Sequence, residues 1–222
     1  MNSAAYYYIH LSLLLGSILF SFSCGIYKFK IIDLPSRVFC LLLGLTLISE
    51  LIAFTAAKKY GNNLSVYSVF SIVQLALLAL YFNFSIDVFR KWNLGLYIGA
   101  TGVAAGILNI VFLEPLGTFN TNFLFFEGLC IIAMALFSFF RLLLMNDDLQ
   151  LHKYPHFWFG VILVLFWSIT FLNWGLYDYY SIKFKNEIWK IGTSILAINV
   201  FTYVAIGVNF LLYHKMKGAH AK

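Results

Sequence analysis

Glu50 is the one charged residue in the apolar run from Val38 to Ala57, at the heart of Thr46-Leu-Ile-Ser-Glu50-Leu-Ile-Ala53. An ionisable group that deep in hydrocarbon is costly, so it needs a proton, a partner or a function. Glu127 poses the same problem in the apolar run Phe123 to Leu144. Four amides, Gln74, Asn109, Asn173 and Asn199, stand in other apolar runs, and His10 follows three tyrosines. Two carboxyls can act as acid and base, relay a proton, or hold the polar end of a ligand that amides orient. A simpler expectation for Glu50 is a protonated carboxyl bonded to Gln74 or Asn199. Such interhelical bonds contribute about 0.6 to 2 kcal/mol.

The elements that must position these groups follow from composition. Of 222 residues, 62% are hydrophobic and 11% charged, and the mean hydropathy is +0.85. Soluble domains are about a quarter charged, so these charges cannot cover a water-facing surface. The apolar runs fill the chain, leaving one transmembrane domain, residues 1–222. A net charge of +6 does not point to nucleic acid, because the basic residues are scattered between apolar runs. They fit better as topology determinants beside anionic headgroups. The N-terminus lacks the basic region of a cleaved signal peptide, and the first apolar run reads as a retained helix.

A spanning helix takes about 20 apolar residues. Seven segments qualify, at 5–27, 38–57, 64–84, 93–113, 123–144, 157–177 and 187–213. None alternates like a strand, and lipid demands internally satisfied backbone, so the fold class is all-α, a seven-helix bundle. Pro35 and Ser36 read as helix-start residues for the second span, and Gly61, Asn62 and Asn63 as the turn that follows it. Trp92, Trp158, Trp174 and Trp189 fall near span ends, as interfacial anchors do.

Basic residues set the expected orientation. Lys28, Lys30, Arg37, Arg90, Lys91, Arg141, Lys153, Lys215, Lys217 and Lys222 fall on one side, and Lys58, Lys59, Lys183, Lys185 and Lys190 on the other. Ten against five places the N-terminus outside and the C-terminus in the cytoplasm. Glu50, Gln74 and Asn199 then lie near the midplane. Glu127, Asn109, Asn173 and His10 lie toward the outer surface. All seven helices are expected to supply a polar group to one outward-facing cavity, as ligand sites in bundles are built. Glu127 is close enough to the interface to reach headgroup water.

The fourth span carries Gly95, Gly99, Gly102 and Gly106 on one face. Such a strip admits a close helix neighbour, either within the bundle or in a homodimer. Asp147, Asp148, His152 and His156 are ligand-type residues, but Pro155 disfavours a helix across the two histidines. They read as a solvated cytoplasmic loop, with no metal or cofactor implied. Cys24, Cys40 and Cys130, odd in number and within or beside apolar runs, read as packing residues.

A retinal pump would need a lysine deep in the seventh span, where Lys190 stands only at its start. Seven-helix metal hydrolases need several intramembrane histidines, and here His10 stands alone. Sugar-transporter and PQ-loop motifs are absent from the sequence. Glu50, Tyr67, Gln74, Glu127, Phe157-Trp158, Trp189 and Asn199 together resemble small standalone seven-helix membrane proteins of Bacteroidota. This chain has Gln74 where those carry an acidic residue. The resemblance implies a membrane location, a seven-helix bundle and no assigned activity.

The expected function is therefore non-enzymatic. It is that of a sensor, receptor-like or accessory protein of a bacterial inner membrane, binding a small or lipid-like ligand. Any signal would pass to a separate partner protein. A proton-coupled transporter using Glu50 and Glu127 is the alternative, and a membrane-embedded lipid-modifying enzyme the third.

Overall fold

A computed structural model describes residues 3–145, 151–175, 183 and 188–217. The helices are α1 (Ser3–Tyr27), α2 (Leu34–Tyr60), α3 (Leu64–Ser85), α4 (Asp87–Trp92), α5 (Leu94–Phe112), α6 (Thr121–Met145), α7 (Pro155–Gly175) and α8 (Ile188–Lys217). Six of them, α1, α2, α3, α5, α6 and α8, are long and apolar enough to cross a membrane, and α7 is a further apolar helix. Leu13, Leu41, Ile52, Val111, Phe140 and Phe201 lie exposed along these helices. An apolar exterior of that extent belongs in lipid, so the chain is an integral, multi-pass membrane protein.

Local chemistry sets the helix ends. The Asp33 carboxylate accepts the Ser36 N–H at 3.1 Å as N-cap of α2, with Pro35 in its first turn. The helix therefore starts four residues ahead of Val38. It ends at Gly61, whose φ of 72° is the left-handed conformation glycine tolerates, after Lys58 and Lys59 in the last turn. The six-residue α4, unanticipated from sequence, ends on Asn93 in the same conformation, φ 52°. Asn93 then leads into α5.

Neighbours pack in a closed ring: α1 on α2, α2 on α3, α3 on α6, α6 on α7, α7 on α8, and α8 back on α1. Helix α5 lies outside this ring, against α3. The glycine strip explains that contact. Gly95, Gly99, Gly102 and Gly106 are all buried, and an added Cβ would strike Ala79 and Asn83, Leu75, or Ile72 and Phe123 at three of the four positions. The strip is occupied by α3 of the same chain and is not available as a dimer face.

One half of the ring, hereafter the Asp33 end, is filled. Phe39 stacks on Phe159 with centroids 4.8 Å apart, and Tyr81 and Phe210 meet Phe159 edge-on. Leu43, Leu78 and Ile206 complete the plug. Cys24, Cys40 and Cys130 are free thiols. At the opposite, Glu114 end the ring does not fill.

Candidate functional site

That unfilled half is a cavity of about 480 Å³, within the range of small-molecule sites. Its wall draws on all six ring helices. From α1 come His10 and Leu14, from α2 Thr46 and Glu50, from α3 Tyr67 and Gln74. Helix α6 gives Leu124, α7 Trp167 and Thr170, and α8 Asn199 and Tyr203. Asn63 and Phe119 frame it at the Glu114 end. The aromatic plug fills the other half of the ring.

Four residues expected from sequence thus meet here: His10, Glu50, Gln74 and Asn199. Glu50 accepts a hydrogen bond from the Tyr67 phenol at 3.0 Å. It does not bond Gln74 or Asn199, as the simpler expectation held. The hydroxyls of Thr46, Ser71 and Thr170 in the wall are spent on backbone carbonyls of their own helices, at 2.7–3.0 Å. The amides of Gln74 and Asn199 bond no described residue, and both line the cavity.

Three expected site residues lie elsewhere. Asn109 is on α5, outside the ring. It donates to Glu114 at 2.8 Å and to Asn120 at 2.5 Å, and Asn120 donates onward to Ser71. Glu114 also accepts the Asn122 N–H, so this group fastens the α5–α6 loop to α3. Asn173 turns back to the Ile169 carbonyl of its own helix at 2.9 Å. Glu127 is fully buried, with neither oxygen bonded, and reaches no interface. It is not part of the cavity wall. Its neighbour Gly128 packs against the Trp167 ring, whose indole N–H is also buried without a partner. The expectation that every helix lends a polar group to one cavity therefore fails at α5 and α6, and at α7 the group is Thr170 and not Asn173. At α6 and α7 the wall is completed instead by Leu124, Trp167 and Thr170.

At the Asp33 end, His156 was expected in a solvated loop. Instead, His156 is 5% exposed in the first turn of α7. Its Nε2 lies 2.8 Å from Asp33 Oδ2 and its Nδ1 3.1 Å from the Tyr81 hydroxyl. The Tyr213 hydroxyl accepts the Asp33 N–H at 3.3 Å, and Asn209 donates to the Pro155 carbonyl at 3.1 Å. Burial by itself raises the Asp33 carboxyl. The bond and charge of His156, with bonds from Ser36 and Tyr213, outweigh it and hold the group well below the usual carboxylate range. Tyr154 beside it is pushed up to about 12, by burial first and then by Asp33 and Asp87. This network clamps α2, α3, α7 and α8 together. The signal in sequence was Pro155, which opens the helix and so carries His156 inside it. Asp147 and Asp148 lie outside the described residues, as do most of the sixth interhelical connection and the extreme C-terminus.

Comparison with protein-family models, curated proteins and solved structures gives no match. The fold and cavity are those of a multi-pass helical membrane protein with a pocket lined by all six ring helices.

Proposed function

We propose that the chain is a receptor-like or accessory membrane protein that holds a small or lipid-like ligand in the cavity at the Glu114 end. The observation that carries this reading is the convergence of Glu50, Gln74 and Asn199 from three helices on one cavity. The two amides have no described partner there. A carboxylate and two uncommitted amides in an otherwise apolar, aromatic wall have the composition of a ligand site. In this reading Glu50 supplies the charge, and Gln74 and Asn199 orient the ligand.

The bilayer is crossed by seven helices, α7 included, in a bacterial inner membrane. The ten-to-five split of Lys and Arg supports an outside N-terminus, with the cavity mouth facing outward. The packed Phe39, Tyr81 and Phe159 plug favours binding over passage, because a transporter needs an exit through it. Glu127, outside the wall, gives less support to a two-carboxyl relay or to acid–base catalysis on a shared substrate.

The test is mass analysis of small molecules retained by protein extracted in mild detergent. Wild type is expected to retain a stoichiometric species that Gln74→Phe, which fills the cavity, excludes. Equal retention by folded Gln74→Phe, or none by wild type, contradicts the reading.

A further inference from the structure

The chemistry of the wall narrows the ligand class, on the premise that the cavity is a binding site. Glu50 is the only carboxylate among the described wall residues, and no Lys or Arg is among them. A phosphate or carboxylate ligand would find neither of the permanently charged basic side chains there. Six aromatic rings surround the same space: Tyr67, Phe70, Phe119, Phe166, Trp167 and Tyr203. Aromatic faces carry negative quadrupole density and attract cations when water is excluded. They also cover apolar substituents. Tyr67 ties the two features together, since its ring lines the wall while its hydroxyl donates to Glu50 Oε2 at 3.0 Å. That bond fixes one carboxylate oxygen and leaves the other without a described partner.

We propose that the ligand is an organic cation, an ammonium with an apolar body, whose charge pairs with Glu50 and whose substituents lie against the aromatic wall. The source is a free amphipathic amine. A zwitterionic phospholipid headgroup brings a phosphate that would find no lysine or arginine in the described wall. The amides of Gln74 and Asn199 select among amines by hydrogen bonding any polar substituent.

The test uses phenyltrimethylammonium and its uncharged isostere tert-butylbenzene on the full chain in lipid nanodiscs, with intrinsic tryptophan fluorescence as the binding readout. The cation is expected to bind wild type at least about tenfold more tightly than the isostere. Glu50→Gln abolishes that preference, and Glu50→Asp, which keeps the charge, retains it. Nanodiscs containing phosphatidylethanolamine are expected to bind the cation as tightly as those without it; competition by that lipid assigns the site to a headgroup and overturns the free-amine assignment. Equal affinity for the two probes, a preference surviving Glu50→Gln, or no binding of either probe overturns the proposal. A neutral or anionic molecule retained by wild type and excluded by Gln74→Phe would leave the cavity reading intact while removing the cation.

Discussion

The Tyr67 hydroxyl and Glu50 Oε2, 17 residues apart, meet at 3.0 Å across the α2–α3 contact at the edge of the cavity. The bond holds the Glu50 side chain in the wall. Tyr67→Phe is expected to destabilise the protein by about 1–2 kcal/mol. In a cycle with Glu50→Gln the two effects should be non-additive, as for groups in one bond. Thermal unfolding in detergent of the two single variants and the double variant measures this, and strict additivity would mean the pair does not interact.

At the other end, His156→Ala leaves Asp33 and Tyr81 without their partner, and a loss of about 3 kcal/mol is expected. The pH dependence follows from Asp33. Its carboxyl is held below the ordinary value in the folded state. The stability it contributes is therefore present above about pH 4 and lost as pH falls toward the depressed folded value. Tyr154 acts on the alkaline side. Raised in the folded state, it contributes stability that is present below about pH 10 and lost as pH rises through about 12. Unfolding midpoints against pH should show both limbs. Asp33→Asn should remove the acid one and Tyr154→Phe should weaken the alkaline one.

Packing of α5 on α3 gives a third expectation. At Gly102 an added Cβ would lie 2.6 Å from Leu75, whereas at Gly16 nothing lies within 4 Å. Gly102→Leu should cost about 1–3 kcal/mol, and Gly16→Ala should stay within about 1 kcal/mol of wild type. Similar costs at the two positions, measured by unfolding, would contradict the placement of the strip.

The Asn109 group is structural in this account. Asn109→Leu breaks its bonds to Glu114 and Asn120 and should destabilise by about 1–3 kcal/mol. Cation binding by the protein that remains folded should be unchanged. A variant of normal stability that has lost binding would return Asn109 to the ligand site.

Periodless apolar runs and their polar breaks made the membrane bundle legible, because hydrocarbon permits little else. That Glu50, Gln74 and Asn199 share one level was legible for the same reason: counting residues along a helix gives relative height. Azimuth was not. Asn109 and Asn173 stand at heights close to the cavity, but one helix lies outside the ring and the other turns its amide onto its own backbone. Glu127 was placed near an interface by height alone, while rotation buries it wholly. Helical spacing in spans apolar on every face carries little rotational signal. His156 differs: Pro155 marks it as part of a helix, and reading that proline as a breaker put the residue in water. The glycine strip was legible as a close-packing face, but its partner became identifiable only once α3 was seen against it.

The central claim is that Glu50, Gln74 and Asn199 face a space that something enters. An experimental structure of wild type in native-lipid nanodiscs tests it most directly. The account predicts non-protein density in the cavity, against Glu50 and within hydrogen-bond reach of at least one of the two amides, with the Tyr67–Glu50 bond retained. A cavity closed by its own side chains, with Glu50 turned onto Gln74 and Asn199, would contradict it.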